Sequence, residues 1–130
     1  MNARIKGILS APAKKRYKNF LRTAADSEEV WMLMGDEGEC TYDIDDEIFV
    51  IVYPTEEFAK MFCRNGEVPV MMEVHKFCKK CKKLIDEQNI GFAVFPNDVD
   101  VINVLAETLY YDLVSALEEF GDYEEDYEED

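Results

Sequence analysis

Groups that enzymes commonly use are scarce in this sequence of 130 residues. It has one histidine, His75, and it lacks the Gly-x-Ser-x-Gly, His-Glu-x-x-His, Walker and Gly-x-Gly-x-x-Gly motifs. The longest uninterrupted apolar run, residues 48–53, has the length of a strand, whereas a membrane span needs about 20 residues. No apolar block typical of a signal peptide follows the first residues. We therefore expect a cytoplasmic protein that is not an enzyme and that uses no cofactor.

Basic side chains are also few, and they are unevenly placed. The chain has 29 acidic and 14 basic residues, which gives a net charge of −15. Residues 1–25 hold seven basic residues and no acid, whereas residues 92–130 hold thirteen acids and no base. This balance predicts no direct contact with nucleic acid or membrane, and it favours a basic protein as the partner in a salt-dependent encounter. The alternative is that the acidity serves solubility alone.

Apolar periodicity predicts helices and strands in the order ααβββαβαββα. Residues 48–53 are apolar on both faces, which is typical of a central strand, and a proline favours an edge position for the strand over residues 68–72. We expect a single α+β domain over residues 1–121, with a mixed or antiparallel sheet of about four to six strands covered by helices. Residues 122–130 contain seven acids and two tyrosines, which predicts a disordered acidic tail.

Capping and turn residues suggest where several of these elements begin and end. Ser10 and Thr55 are placed to cap the second and third helices. The strands over residues 30–34 and 39–42 are separated by a Gly-Asp-Glu-Gly turn, which predicts a hairpin. We expect residues 43–46 to form an acidic link from this hairpin to the central strand.

A His-x-x-Cys-x-x-Cys segment, formed by His75, Cys78 and Cys81, admits three interpretations. Thiolates and an imidazole are zinc ligands, and a Cys-x-x-Cys pair can be redox-active. However, the cysteines coincide with an apolar stripe at helical spacing over residues 74–85, which favours a role as small core residues. We prefer this core interpretation and keep the metal and redox sites as alternatives. The missing export signal predicts free thiols rather than disulfides.

Carboxylates and tyrosines form the predicted partner-binding set. The two acidic segments of this set are also typical of solvated loops, and neither has the ligand spacing of a calcium loop. Two adjacent tyrosines on one helix cannot both face the core, so we expect one at the surface, where tyrosine is a frequent binding hot spot. The set is Asp36, Glu37, Asp43, Asp45, Asp46, Tyr110, Tyr111, Asp112, Glu118 and Glu119.

Two sequence blocks carry a resemblance to a known family. Residues 12–21 have the pattern Pro-Ala-x-x-Arg-Tyr-x-x-Phe-Leu, and residues 25–33 have the pattern Ala-Asp-x-Glu-Glu-Val-Trp-x-Leu. These blocks resemble the opening of a small bacterial domain-of-unknown-function family, number twenty-seven fifty. The resemblance implies no catalytic residues. The family is similar in size to the immunity proteins of bacterial toxin systems, and similar in layout to the N-terminal domain of enhanced-serine-sensitivity proteins.

Charge and resemblance together predict an acidic protein-binding module. The leading hypothesis is an immunity-type inhibitor that occludes a basic toxin, nuclease or other nucleic-acid-binding effector. One alternative is a phage-type DNA mimic, although the basic first 25 residues argue against a uniform mimic. Another is a small zinc- or thiol-dependent protein that uses His75, Cys78 and Cys81.

Overall fold

Five helices and a seven-stranded sheet make up most of the described chain, which comprises residues 3–87 and 89–121 of a computed structural model. This confirms the α+β class, and the tail predicted for residues 122–130 lies outside the described residues. In the described part of the chain, no helix is both long and apolar enough to cross a membrane. The helices are α1 (Ala3–Ser10), α2 (Ala13–Ser27), α3 (Glu56–Met61), α4 (Val74–Leu84) and α5 (Ala106–Phe120). The strands are β1 (Glu29–Gly35), β2 (Gly38–Glu39), β3 (Thr41–Ile44), β4 (Glu47–Tyr53), β5 (Val68–Glu73), β6 (Ile90–Val94) and β7 (Ile102–Leu105).

Strand β4 lies in the centre of the sheet, as its apolar sequence predicts. It pairs in parallel with β6, and it pairs antiparallel with β1 at Trp31–Tyr53 and Met32–Val52. Strand β7 pairs antiparallel with β6 at one edge, and β5 pairs antiparallel with β1 at the other. Pro69 lies in β5, as the sequence predicts for an edge strand, since an edge position tolerates a residue without a backbone N–H. The sheet is therefore mixed, and its parallel pair places the carboxyl ends of β4 and β6 side by side.

The sheet divides at Cys40. The sequence predicts one continuous strand over residues 39–42, whereas the structure has two strands, β2 and β3, on either side of Cys40. Past the two β1–β4 pairs, β1 pairs with β2 and β4 pairs with β3. The Cys40 N–H donates to the Leu33 carbonyl at 2.8 Å, and the Cys40 carbonyl accepts from the Ile51 N–H at 3.1 Å. Because β1 and β4 run in opposite directions, no straight segment can be antiparallel to both, so the chain reverses at Cys40. The predicted single strand and the link after it are thus wrong. Two hairpins diverge here, and residues 43–44 extend β3.

The two faces of the sheet are covered unequally. On one face α2, α4 and α5 pack against the strands, and Phe92 of β6 meets Phe77 of α4 with ring centroids 5.1 Å apart. Side chains alternate along a strand, so Tyr53 of β4 points to the opposite face, where its ring stacks on Phe62 at 5.3 Å. Full burial of each such ring contributes about 1.5–3 kcal/mol. The six-residue α3 covers only part of this second face, which leaves space for a cavity.

Local hydrogen bonds explain the helix boundaries, and one predicted cap is wrong. The Thr55 side chain accepts an N–H of the first turn of α3, which confirms the predicted cap. Ser10 instead donates its hydroxyl back to a carbonyl within α1, and α2 begins after Pro12 without a side-chain cap. Helix α4 follows β5 without a loop, and Glu73 caps it by accepting two N–H groups of its first turn.

Candidate functional site

The first five acids of the predicted partner-binding set lie at one end of the sheet. Asp36 and Glu37 form the β1–β2 turn, Asp43 lies in β3, and Asp45 and Asp46 form the β3–β4 turn. All five are exposed, and within the described residues none of them forms an ion pair. Because β1 and β4 are antiparallel, the end of β1 and the start of β4 lie at the same end of the sheet. We call these five residues the hairpin acids.

The β3–β4 turn has an unusual sequence for its geometry. Ile44 and Glu47 pair across the turn, so Asp45 and Asp46 form a two-residue loop. Their φ angles are 50° and 68°, as a type I′ turn requires at both central positions. Such turns favour Asn-Gly or Asp-Gly, because glycine adopts positive φ without steric cost. The second aspartate therefore places a carboxylate at the tip at a conformational cost of about 1 kcal/mol.

The α5 members of the predicted set do not join the hairpin acids. Strand β7 ends beside the starts of β6 and β4, so α5 begins near the hairpin acids and extends for about 22 Å from its start. Tyr110 is buried and Tyr111 is 59% exposed, which confirms that one of the pair faces outward. Asp112 accepts a hydrogen bond from the Tyr17 hydroxyl at 2.5 Å. Glu118 and Glu119 are exposed in the last turn of α5, a helix length from its start.

The His75, Cys78 and Cys81 side chains occupy two different environments. Both cysteines are fully buried on the core side of α4, and burial raises the pKa of Cys78 to about 12 and raises that of Cys81 as well. Protonated thiols in the core agree with the core interpretation. His75 Nδ1 lies 2.5 Å from Glu73 Oε2, a hydrogen-bond distance.

One group of three possible metal ligands occurs among the described residues, and it contains Glu28, Glu73 and His75. Their ligand atoms lie within 4.8 Å of one another. Both Glu73 oxygens, however, accept backbone N–H groups at the start of α4. Burial raises the pKa of the Glu73 carboxyl, but the hydrogen bonds from His75 and Lys76 outweigh it and leave that pKa below its ordinary value. This arrangement is that of an ionised helix cap, and it needs no metal to explain it.

A cavity of about 410 Å³ opens on the second face of the sheet, beside the point where the hairpins diverge. Tyr42 and Tyr53 contribute to its lining from β3 and β4, and three charged residues, Arg64, Glu67 and Asp98, also line it. A second cavity of about 760 Å³, lined partly by α1 and the α1–α2 link, adjoins the first. The two cavities share Phe62, Asn97 and Asp98.

The two thiols that line the smaller cavity are not activated. Burial, followed by a hydrogen bond to Glu67, raises the pKa of Cys40 to about 11. Burial likewise raises the pKa of Cys63. The Glu67 carboxylate accepts the Arg64 N–H at 2.6 Å, and this hydrogen bond lowers its pKa. The cavity thus offers protonated thiols and an ionised carboxylate, which suit binding better than nucleophilic attack.

The wall between the cavities is the segment after β6, and a buried arginine holds it. Arg16 is 1% exposed, and its Nε donates to the Phe95 carbonyl at 2.9 Å. Its two terminal nitrogens donate to the Ala11 carbonyl at 2.7 Å and to Asp100, through the carbonyl at 2.7 Å and Oδ1 at 2.8 Å. Phe95 is fully buried with a φ of 51°, a conformation that a bulky residue rarely adopts. Strain of this kind persists where the surroundings hold it, often beside a binding site.

Sequence reasoning missed this cavity, although one signal could have indicated it. Ligands of open sheets commonly bind beyond the carboxyl ends of parallel strands, and residues 95–98 directly follow β6. The signal is useful only if β4 and β6 are known to be parallel neighbours, and the sequences of the two strands do not predict that pairing.

Comparison with known proteins places the chain in a family. The family model DUF2750, described as a protein of unknown function, matches residues 17–113. The match covers well over half of the chain, so the chain belongs to the DUF2750 family, as the sequence resemblance implied. No curated protein sequence is detectably similar to the chain.

Proposed function

We propose that this DUF2750 protein binds a basic protein, and that it acts as an immunity-type inhibitor that occludes a toxin or nuclease. The observation that carries the proposal is the group of five hairpin acids, which are exposed and lack ion-pair partners among the described residues. Unpaired carboxylates at one end of a sheet attract a cationic surface and accelerate its encounter. They would pair with lysines and arginines that line the partner's active site.

Apolar side chains beside the hairpin acids would supply contact area that excludes water. Ile44 and Ile48 flank the β3–β4 turn on opposite faces of the hairpin and are 44% and 41% exposed, so either face presents one of them to a partner. Binding interfaces commonly combine such a desolvated centre with a charged rim. Charge would then set the rate and the salt dependence of association, while apolar contact would slow dissociation.

The two alternative functions find less support in the geometry. A DNA mimic needs a continuous acidic stripe, yet basic residues of α2 and lysines of α4 lie in the helical layer. A zinc- or thiol-dependent function needs accessible thiolates, yet Cys78 and Cys81 are fully buried.

The proposal is tested by comparing how much partner the wild-type protein and two variants of equal charge capture from a lysate. Tagged protein is incubated with lysate of the source cells at low and at moderate salt, and retained proteins are identified by mass spectrometry. We expect one basic protein that is lost as salt rises and lost by the double variant Asp45→Asn, Asp46→Asn. The control is Glu118→Gln, Glu119→Gln, which removes the same charge from the far end of α5 and should retain the partner.

The same variants test inhibition directly. Co-expression of the wild-type chain with the captured protein should relieve that protein's toxicity or nuclease activity, and the hairpin variant should not. An acidic partner, or equal capture by both double variants, would contradict the proposal.

A further inference from the structure

Tyr53 brings a buried polar group to the smaller cavity. It is 1% exposed, and its ring stacks on Phe62 and meets Phe95 edge-on at 5.9 Å. The Tyr53 hydroxyl makes no hydrogen bond with the described residues, and it is not one of their fully enclosed polar atoms, so it opens onto the cavity. A tyrosine hydroxyl whose ring is buried ordinarily has a hydrogen-bond partner. Burial, and after it the neighbouring Tyr42 and Asp98, raise the pKa of Tyr53, so the hydroxyl remains protonated at neutral pH. Because Tyr53 lines the cavity, a ligand there could supply the missing partner.

The charges that line the cavity favour a cation. Asp98 is exposed and forms no ion pair among the described residues. Glu67 stays ionised because it accepts the Arg64 N–H. Against these two carboxylates the lining holds one cationic residue, Arg64, so the net formal charge is negative. The aromatic side chains of Tyr42, Tyr53 and Phe62 line the same cavity as these two carboxylates.

The wall that carries Asp98 is ordered before any ligand arrives. The Asn97 Oδ1 accepts the N–H groups of Val99 and Asp100 at 2.8 and 2.9 Å, which holds the backbone on both sides of Asp98. The Asn97 Nδ2 also donates to the Leu9 carbonyl at 2.7 Å. A backbone held in this way loses little freedom on binding, which favours affinity.

An arginine side chain fits these groups better than a lysine. A guanidinium is planar, donates up to five hydrogen bonds, pairs with a carboxylate through two of them, and packs against aromatic faces. A lysine ammonium is a compact, strongly hydrated charge. The cavity volume of about 410 Å³ suits a small ligand or one long side chain rather than a folded segment.

We propose that the cavity lined by Tyr53, Glu67 and Asp98 receives an arginine side chain of the basic protein partner. The inference rests on the proposed function, because it names an anchoring contact of that partner. The guanidinium would donate hydrogen bonds to the Asp98 carboxylate. The apolar stem of the arginine would pack against the aromatic lining. Buried arginines of this kind are frequent hot spots of protein interfaces.

The first test uses a small probe and does not need the partner. N-acetyl-arginine amide is titrated into the isotope-labelled protein, and backbone resonances are followed by NMR. We expect saturable shifts at Tyr42, Tyr53 and Asp98. The matched control is N-acetyl-citrulline amide, which has nearly the same shape without the charge and should produce no saturable shift. Equal binding of the citrulline probe, or no saturable shift with the arginine probe, would overturn the inference.

Two variants with opposite charge effects sharpen this test. Asp98→Asn should weaken the arginine probe about tenfold, since a hydrogen bond between charged groups is lost. Arg64→Gln removes the competing cation and should tighten the probe. Both residues are exposed, so neither variant should alter the fold, and the NMR spectra report this directly. An Asp98→Asn protein that binds the probe as tightly as wild type contradicts the inference.

Capture of the partner separates failure of this inference from failure of the proposed function. If Asp98→Asn retains the partner fully while Asp45→Asn, Asp46→Asn loses it, the arginine contact is refuted and the hairpin acids remain the binding surface. If Asp98→Asn weakens capture as well as probe binding, the arginine contact is supported. A probe that binds while no basic partner is captured refutes the contact with a protein side chain and points to a free guanidino compound.

Discussion

Replacing Arg16 by methionine should destabilise the fold more than any loss of a surface charge. The side chain is 1% exposed and donates to the carbonyls of Phe95 and Ala11 as well as to Asp100. Methionine has a similar length and fills the space, but it donates nothing. The variant Arg16→Met therefore leaves the buried Phe95 carbonyl, and the partly buried Ala11 and Asp100 carbonyls, without this donor, and an unpaired buried polar group is costly.

The size of the effect follows from which acceptors can reach water. The Asp100 side chain is 51% exposed, so water solvates its carboxylate once the arginine is gone. Loss of the ion pair in Arg16→Met therefore costs at most about 1 kcal/mol. The hydrogen bond from the guanidinium to the buried Phe95 carbonyl contributes about 1.5–3 kcal/mol, and the bonds to the partly buried Ala11 and Asp100 carbonyls contribute less each. We therefore expect Arg16→Met to lower the free energy of unfolding by about 3–5 kcal/mol. That is a large part of the total of about 5–15 kcal/mol that is typical of a domain.

Urea unfolding followed by circular dichroism measures this loss. Asp100→Asn is the comparison, because it removes the ion pair and leaves Arg16 with its carbonyl acceptors. The 1% exposed guanidinium then lacks its counter-charge, so we expect a cost of about 1–3 kcal/mol, below that of Arg16→Met. A cost for Arg16→Met below about 1 kcal/mol would refute the reasoning. Equal losses in both variants would show that the exposed ion pair, and not the buried carbonyls, holds the wall of the cavities.

Four further substitutions have expected outcomes that follow from local features of the structure. Gly91→Ala places a Cβ 2.3 Å from the Val104 carbonyl oxygen, so it should lower the free energy of unfolding in urea by about 2–3 kcal/mol. At Gly7, by contrast, an added Cβ meets no atom within 4 Å outside its own helix backbone and chain neighbours. Gly7→Ala should therefore stabilise α1 by a few tenths to about 1 kcal/mol. Asp46→Gly removes the conformational cost of a side chain at positive φ, so it should raise the melting temperature by a few degrees. It should also weaken capture of a basic partner, because it removes a hairpin carboxylate. Unchanged capture would contradict the proposed role of this carboxylate. Glu73→Ala removes the cap of α4 and should cost about 1 kcal/mol at neutral pH. Because the pKa of Glu73 is lowered in the fold, its contribution is present above its ordinary pKa of 4.5 and is lost as pH falls below it, so urea titrations of the two proteins should converge in acid.

Local patterns in the sequence predict most of the secondary structure correctly. The apolar run of β4 predicts its central position, and Pro69 predicts an edge strand, because burial and the missing N–H act within the strand itself. The stripe that contains Cys78 and Cys81 predicts the buried side of α4 for the same reason. Each of these features depends on residues close together in the chain.

Features that depend on distant residues are not predictable in this way. Arg16 is one of seven basic residues in residues 1–25, and its local sequence does not distinguish it from the other six, yet its acceptors Phe95 and Asp100 lie 79 and 84 residues away. Ser10 has the residue type of an N-cap, but a carbonyl within its own helix competes for its hydroxyl. The reversal at Cys40 arises because one segment must pair with two strands that run in opposite directions. The cavity likewise needs the parallel pairing of β4 with β6.

Solubility alone does not account for where the hairpin acids lie. A net charge of −15 is already far from zero, so one further carboxylate adds little to solubility. An acid on an exposed helix face would serve solubility without a positive φ, whereas Asp46 has a φ of 68° in a turn that favours glycine. Among the described residues, neither aspartate of this turn has an ion-pair partner that would compensate the cost. A conformational cost at one position is expected where the position itself matters, and the proposed contact with a cation on another molecule requires a carboxylate at the tip of this hairpin.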